Sequence, residues 1–193
     1  MTKLILIPAA QTDWHPQGRL AGDTHLALNE FGHRQSVNTA QEIRGLSPRI
    51  VRCGPEQATR QTASLVAHET GVRLRTVKEL REMSLGVWQG LMIEDIKERF
   101  GKVYRQWRAD PLSIEPPEGE TVLLALTRLV EAVEKIRKKN VNETVAVVVG
   151  QYANAALRSR LVDRSFEKFW DYVDNDQPFQ AIDLPDEKIT PGL

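Results

Sequence analysis

Two short stretches of this chain are apolar at every position, Leu4–Ile7 and Val145–Val149. Unbroken apolar runs of that length suit strands covered on both faces, as in a largely parallel sheet with helices above and below. Ile50–Cys53 reads as a third strand, with weaker candidates at Val72–Val77 and Phe179–Leu184. Pro8 is expected just past the first strand's last ladder bond, because a proline inside a central strand forfeits one. Between the runs the apolar spacing lengthens to three and four. Val122, Leu126, Leu129, Val133 and Ile136 form one such stripe after Thr121, and Arg137-Lys138-Lys139 then complements the helix dipole. Asn29 suits the cap of a helix running to about Gly45, and Pro55 the first turn of one ending near Gly71. Ile93–Arg108 reads as a charged, Trp-bearing helix, and Tyr152–Val162 and Phe166–Val173 as a last pair. Strands interleaved with helices in this order predict an α/β fold, a three-layer α/β/α sandwich around a mostly parallel sheet.

Composition narrows the setting. A chain of 193 residues is long enough for one sizeable core and short for two. One domain is expected over residues 1–184, with a helical insertion at about 92–120 and a polar, proline-bearing tail at 185–193 that reads as loose. Lys plus Arg and Asp plus Glu both number 26, so the formal charge is zero, and nucleic acid and membrane surfaces are not the expected partners. A single cysteine precludes an internal disulfide and suits a reducing compartment. The first apolar run is too short for a signal peptide or a membrane span, so a cytoplasmic protein is expected, with homo-oligomers left open.

The candidate chemistry lies in three stretches, Leu4–Gly22, Cys53–Ala63 and Leu80–Gly90. In their order and spacing they resemble the histidine phosphatase superfamily, the phosphoglycerate mutase-like proteins. The resemblance covers about residues 3–160 and implies that family's sandwich and its active-site frame. In that frame a histidine after the first strand takes up a phosphoryl group. Two arginines and a second histidine neutralise the phosphate oxygens, and a carboxylic acid protonates the leaving group. Phosphoryl transfer asks for such a nucleophile amid cations and N–H donors. Laid over this sequence, the opening Arg-His-Gly falls on Pro8, Ala9 and Ala10, the second arginine on Ala58 and the second histidine on Gly150. Glu82 alone matches, as the acid. The resemblance places Gln11, Thr12, His15, Arg19, Cys53, Glu82, Gln151 and Tyr152 around the pocket, with no cofactor and no metal. It also puts the insertion over the pocket mouth, with Pro116-Pro117-Glu118-Gly119-Glu120 marking its end.

Other residues are candidates to stand in for the missing groups. His33 and His68 fall on predicted helices away from strand ends, and His25 in a loop. His15 replaces a family asparagine that touches the phosphate, and it is a candidate surrogate nucleophile. Cys53 precedes a helix, yet its spacing to Arg60 is one residue longer than the Cys-x5-Arg of cysteine phosphatases, and an inert thiol is the simpler reading. Arg60 does not replace an arginine at 58, since two helical residues turn a side chain by roughly 200°. No His-x3-His, cysteine pair or glycine-rich phosphate loop is present.

With those positions substituted, the expectation is a catalytically inactive family member that binds an unknown small molecule or protein partner. Two alternatives stand beside it: an active phosphatase or mutase with rearranged catalytic residues, working through His15 or Cys53, and a structural subunit pairing with an active relative. Glu82, without its arginines, is expected to show a raised pKa or to recruit Arg19, Arg52 or Arg81. The small residues Ala9, Ala10, Ala58 and Gly150 should converge. The space they vacate is either open to a neutral or cationic ligand or filled by Gln11 and Tyr152.

Overall fold

The computed structural model describes residues 1–175 and 178–192. Five strands, β1 (Thr2–Pro8), β2 (Ile50–Cys53), β3 (Arg73–Thr76), β4 (Thr144–Val149) and β5 (Gln180–Leu184), form one sheet in the order β3-β2-β4-β1-β5. Every pairing is parallel except β1 with β5. The two apolar runs lie side by side, Leu4 opposite Val145 and Ile7 opposite Val148. Alternation divides their side chains between two cores. Ile5, Ile7, Val51, Cys53, Ala146 and Val148 meet Ala40 and Ile43 of helix α1 (Glu30–Arg44) and Ala63 and Val66 of α2 (Gln57–Thr70). Leu4, Leu6, Val145, Val147 and Val149 meet the stripe of α5 (Val122–Lys139) and the alanines of α6 (Gln151–Arg158). The expected α/β three-layer sandwich is the fold.

Several boundaries differ from expectation, each for a local reason. Pro8 is inside β1, opposite Val149. The next residue, Ala9, donates its N–H to Val149, so alternation turns the Pro8 nitrogen towards β5. Since β5 pairs only as far as Leu6, no bond is forfeited there. Pro55 precedes the α2 cap, Glu56, instead of sitting in the first turn. Gly71 does take the left-handed stop at φ 68, whereas Gly45 stays right-handed and Ser47 makes the turn at φ 50. The insertion is two helices, α3 (Ile93–Arg99) and α4 (Gly101–Ala109), broken at Phe100, where φ −125 leaves the helical range. After α6 the chain widens into a single π turn, Ser159–Asp163, before the short α7 (Phe169–Asp174). The tail is tied down where described: Ile189 is buried and its N–H bonds the Glu134 carboxylate at 3.3 Å.

The arrangement creates a crevice at one place. The chain leaving β1 turns to α1 on one face of the sheet, while the chain leaving the neighbouring β4 turns to α6 on the other. Such a topological switch point at strand carboxyl ends is where open α/β sheets bind ligands.

Candidate active site

The retained motifs shape the crevice. Thr62 accepts the Ala10 N–H at 3.1 Å and Gln61 the Leu28 N–H at 2.8 Å, so α2 holds both ends of the loop after β1. The Asn29 side-chain oxygen, Oδ1, caps α1 by accepting the Gly32 N–H, and its side-chain nitrogen donates to Gln11 Oε1 at 3.0 Å. On the opposite wall, Trp88 and Trp107 are fully buried, and Trp107 stacks on Tyr152 with ring centres 5.8 Å apart. Glu120, at the end of the insertion motif, receives Arg128 on both oxygens, at 2.8 and 2.6 Å. The same guanidinium reaches the carbonyls of Arg81 and Glu82, and thereby fixes the segment that carries Glu82. Glu120→Ala would strand a mostly buried guanidinium. It is expected to lower stability by about 3 kcal/mol in urea denaturation; a loss below about 1 kcal/mol would show that the pair does not anchor this segment.

Three contiguous cavities meet in the crevice, and they differ in charge. The inner one, about 40 Å³, is bounded by Ala9, Ala10, Ala58 and Gly150, which converge as expected, and by Thr12, Tyr152, Glu56 and Glu82. The mouth, about 680 Å³, carries Arg19, Lys97 and Arg108 against the carboxylates Glu94 and Asp174. The third, about 240 Å³, lies towards α1 over Pro8, Ala9 and Ala10 and is lined largely by carboxamides. His15 and Gln151 border all three.

Glu82 dominates the inner cavity. It is buried and accepts N–H groups from Met83, Tyr152 and Ala153 at 2.6, 2.8 and 2.8 Å, the last two from the first turn of α6. Burial pushes its carboxyl up to about 8, and the nearby Glu56 adds to the rise against those three bonds. The environment thus raises the carboxyl as expected, and no arginine is recruited to it: Arg81 pairs with Glu120, and Arg19 bonds the Gly90 carbonyl and Gln17. A Cβ on Gly150 would lie 2.6 Å from the Glu82 Cδ, so Glu82 itself fills the space above Gly150. Gln11 and Tyr152, expected there, stand at the margins.

His15 is held by its ring. Nδ1 accepts the Thr12 N–H at 3.1 Å and lies 3.0 Å from the Thr12 hydroxyl. A ring nitrogen that accepts a backbone N–H has no proton of its own, so the neutral ring carries its proton on Nε2. That tautomer presents a donor where a nucleophile would need a lone pair.

Of the residues expected around the pocket, Gln11, Thr12, His15, Arg19, Glu82, Gln151 and Tyr152 border these cavities. Cys53 does not. It points into the α1/α2 core, fully buried, with its sulfur 3.7 Å from the Thr76 hydroxyl, and burial pushes its thiol up. The pairing of Cys53 with Val148 and Val51's burial on the same face put it there, a pattern readable from strand alternation. His25, His33 and His68 are exposed, as is Arg60. Sequence reasoning missed Glu56, Asn154, Lys97 and Arg108. For the last two a signal existed, since Glu94, Lys97, Tyr104 and Arg108 recur at spacings that put helical residues on one face.

Comparison with known proteins places the crevice. The sequence profile of the histidine phosphatase superfamily (branch 1) matches residues 4–181. Phosphoserine phosphatase 1 of Hydrogenobacter thermophilus is 27% identical over 188 residues, 97% of this chain and 89% of that one. A solved mycobacterial glucosyl-3-phosphoglycerate phosphatase is 26% identical, with a TM-score of 0.79 over 86% of this chain and 85% of its own. The α-ribazole phosphatase of Shigella flexneri, 22% identical, shares the fold at TM-score 0.81 over 99% and 98% of the two chains. Relatives of matching length thus carry the names of phosphatases, and this overturns the expectation of a catalytically inactive protein. That expectation rested on four substituted positions and gave too little weight to the titratable groups that remain, Glu82 and His15 among them. With the profile running along nearly the whole chain over an intact strand-end crevice, this chain belongs to branch 1 of the histidine phosphatase superfamily.

Proposed function

We propose that this chain hydrolyses phosphate monoesters with a rearranged catalytic set, displaced from the end of β1 to the loop that follows it. The names of its relatives support a phosphatase. The observation that carries the rearrangement is the position of His15, which borders the acidic, basic and neutral cavities at once. A dianionic phosphoryl group fits the mouth, where three cations face two carboxylates. Its bridging oxygen then points inward between His15 and Gln151, towards the Glu82 carboxyl. His15 donates from Nε2 to a phosphoryl oxygen and takes no covalent role, because its lone pair is committed to Thr12.

The chemistry balances without a phosphoenzyme. Water attacks phosphorus as the ester P–O bond breaks, and the departing alkoxide takes the proton of Glu82, which a carboxyl titrating near 8 carries at pH 7. The carboxylate so formed is received by the three N–H groups that already hold it. The attacking water leaves one proton on the product phosphate and returns the other to Glu82. Phosphate release from phosphoserine, a hexose phosphate and p-nitrophenyl phosphate tests the reading. The chain is expected to turn over at least one of them, and His15→Ala to slow it by about 10²–10³-fold with the circular dichroism unchanged. Release at the rate of the blank for every ester, or undiminished turnover in His15→Ala, overturns it.

A further inference from the structure

The cavity towards α1 has a lining unlike the other two. Gln11, Gln35, Asn38, Gln151, Asn154 and Asn175 contribute six carboxamides, and Glu42, exposed on α1, is the one acidic or basic side chain at fixed charge among its described lining residues. The orientations of Asn154, Gln151 and Gln11 are fixed by their partners. Asn154 Oδ1 faces the Arg158 guanidinium, which only donates, so its amide nitrogen is turned the other way. Gln151 Nε2 donates to the Val173 carbonyl, which leaves its oxygen as the acceptor. Gln11 Oε1 receives Asn29, whose own oxygen is taken by Gly32, so Gln11 offers its NH₂. The walls thus present donors and acceptors side by side. Pro8, Ala9, Ala10 and Val173 supply short apolar surface. Tyr172 supplies the side of its ring, its hydroxyl being committed to Asp163 at 2.6 Å.

Groups that donate and accept at every position, carry no charge and present C–H faces match such walls; these are the hydroxyls of a carbohydrate. Among the described lining residues an anion finds no lysine or arginine. The volume, about 240 Å³, lies below the roughly 300–1,000 Å³ of pockets for drug-sized ligands and suits one ring. We propose that this cavity is a subsite for an uncharged, hydroxyl-rich group, a single pyranose or a short polyol. Its identity as the alcohol part of the substrate rests on the hydrolase reading above; the subsite itself is defined by its lining. The floor of small residues at Pro8-Ala9-Ala10 is what opens it towards His15.

Saturation-transfer NMR on the full chain tests this without turnover, with methyl α-glucopyranoside as probe and adenosine, lactate and putrescine as competitors of other chemistry. Transfer is expected to the glucoside and to fall at least fivefold in two variants. Asn38→Trp closes the cavity from an exposed position on α1, and Asn154→Leu removes a buried donor. Since Asn154→Leu carries the risk of misfolding, Asn38→Trp decides the matter. Absence of transfer to the glucoside, undiminished transfer in Asn38→Trp, or preference for adenosine or a charged probe overturns the proposal. Transfer without phosphate release from any ester would sink the hydrolase reading and leave the subsite standing; ester hydrolysis with no transfer to the glucoside would do the reverse.

Discussion

Replacing Glu82 by glutamine is expected to slow phosphate release at pH 7 by about 10²–10⁴-fold, the contribution of a positioned general acid. The isosteric amide keeps the shape of the carboxyl and supplies no transferable proton. In the unaltered chain, activity should be held below the pKa of about 8 and decline above it, because the acid must enter the reaction protonated. The decline should be absent from the residual activity of Glu82→Gln. A wild-type rate that rises through pH 8 and 9 would remove Glu82 from this role.

The same group ties stability to pH. Its folded pKa, about 8, lies above the value of 4.5 it has without the fold. The folded state therefore binds the proton more tightly, and the stabilisation is complete below pH 4.5 and lost as pH rises through 8. One proton over that interval corresponds to on the order of 5 kcal/mol. Melting curves of the native chain should fall from pH 6 to pH 9 relative to those of Glu82→Gln. Parallel curves would mean that Glu82 is already ionised at neutral pH, which also contradicts its use as an acid.

How far the sequence reached depends on whether a feature is local. The neighbouring strands β1 and β4 followed from two apolar runs, and the α5 stripe from its spacing, because burial leaves a periodic trace in consecutive residues. Asn29 was readable as a cap because it serves an N–H only three residues on. Glu82 was legible only through its motif. Glu56 was not legible, because its carboxylate ignores the helix it begins and accepts the Glu82 N–H from 26 residues away. Nor was the carboxamide cavity, whose lining comes from the end of β1 and its loop, α1, α6, and α7 with the residues that follow it, with no shared spacing to betray it. The helix break at Phe100 had a weak herald in Gly101, which the charge pattern of the insertion masked.

Gly150 gives the strictest test of how the crevice is built. Its φ of −68 is open to any residue, so the backbone does not demand glycine there. Space does: a Cβ would stand 2.6 and 2.8 Å from Cδ and Cγ of Glu82, closer than real Cβ contacts come. Glu82 cannot yield cheaply, since moving it abandons three N–H groups, two of them at the buried start of α6. Gly150→Ala is therefore expected to lower stability by about 2–4 kcal/mol. If Glu82 is expelled in that variant, the fall in stability between pH 6 and pH 9 should vanish with it. Gly150→His, the residue that the family resemblance leads one to expect there, should do worse, because the imidazole needs the volume that the carboxyl occupies. It should yield no gain in phosphate release while Glu82 stays in place. A Gly150→Ala protein as stable as the native chain, with the pH dependence of its melting intact, would show that the crevice has room that this packing denies it.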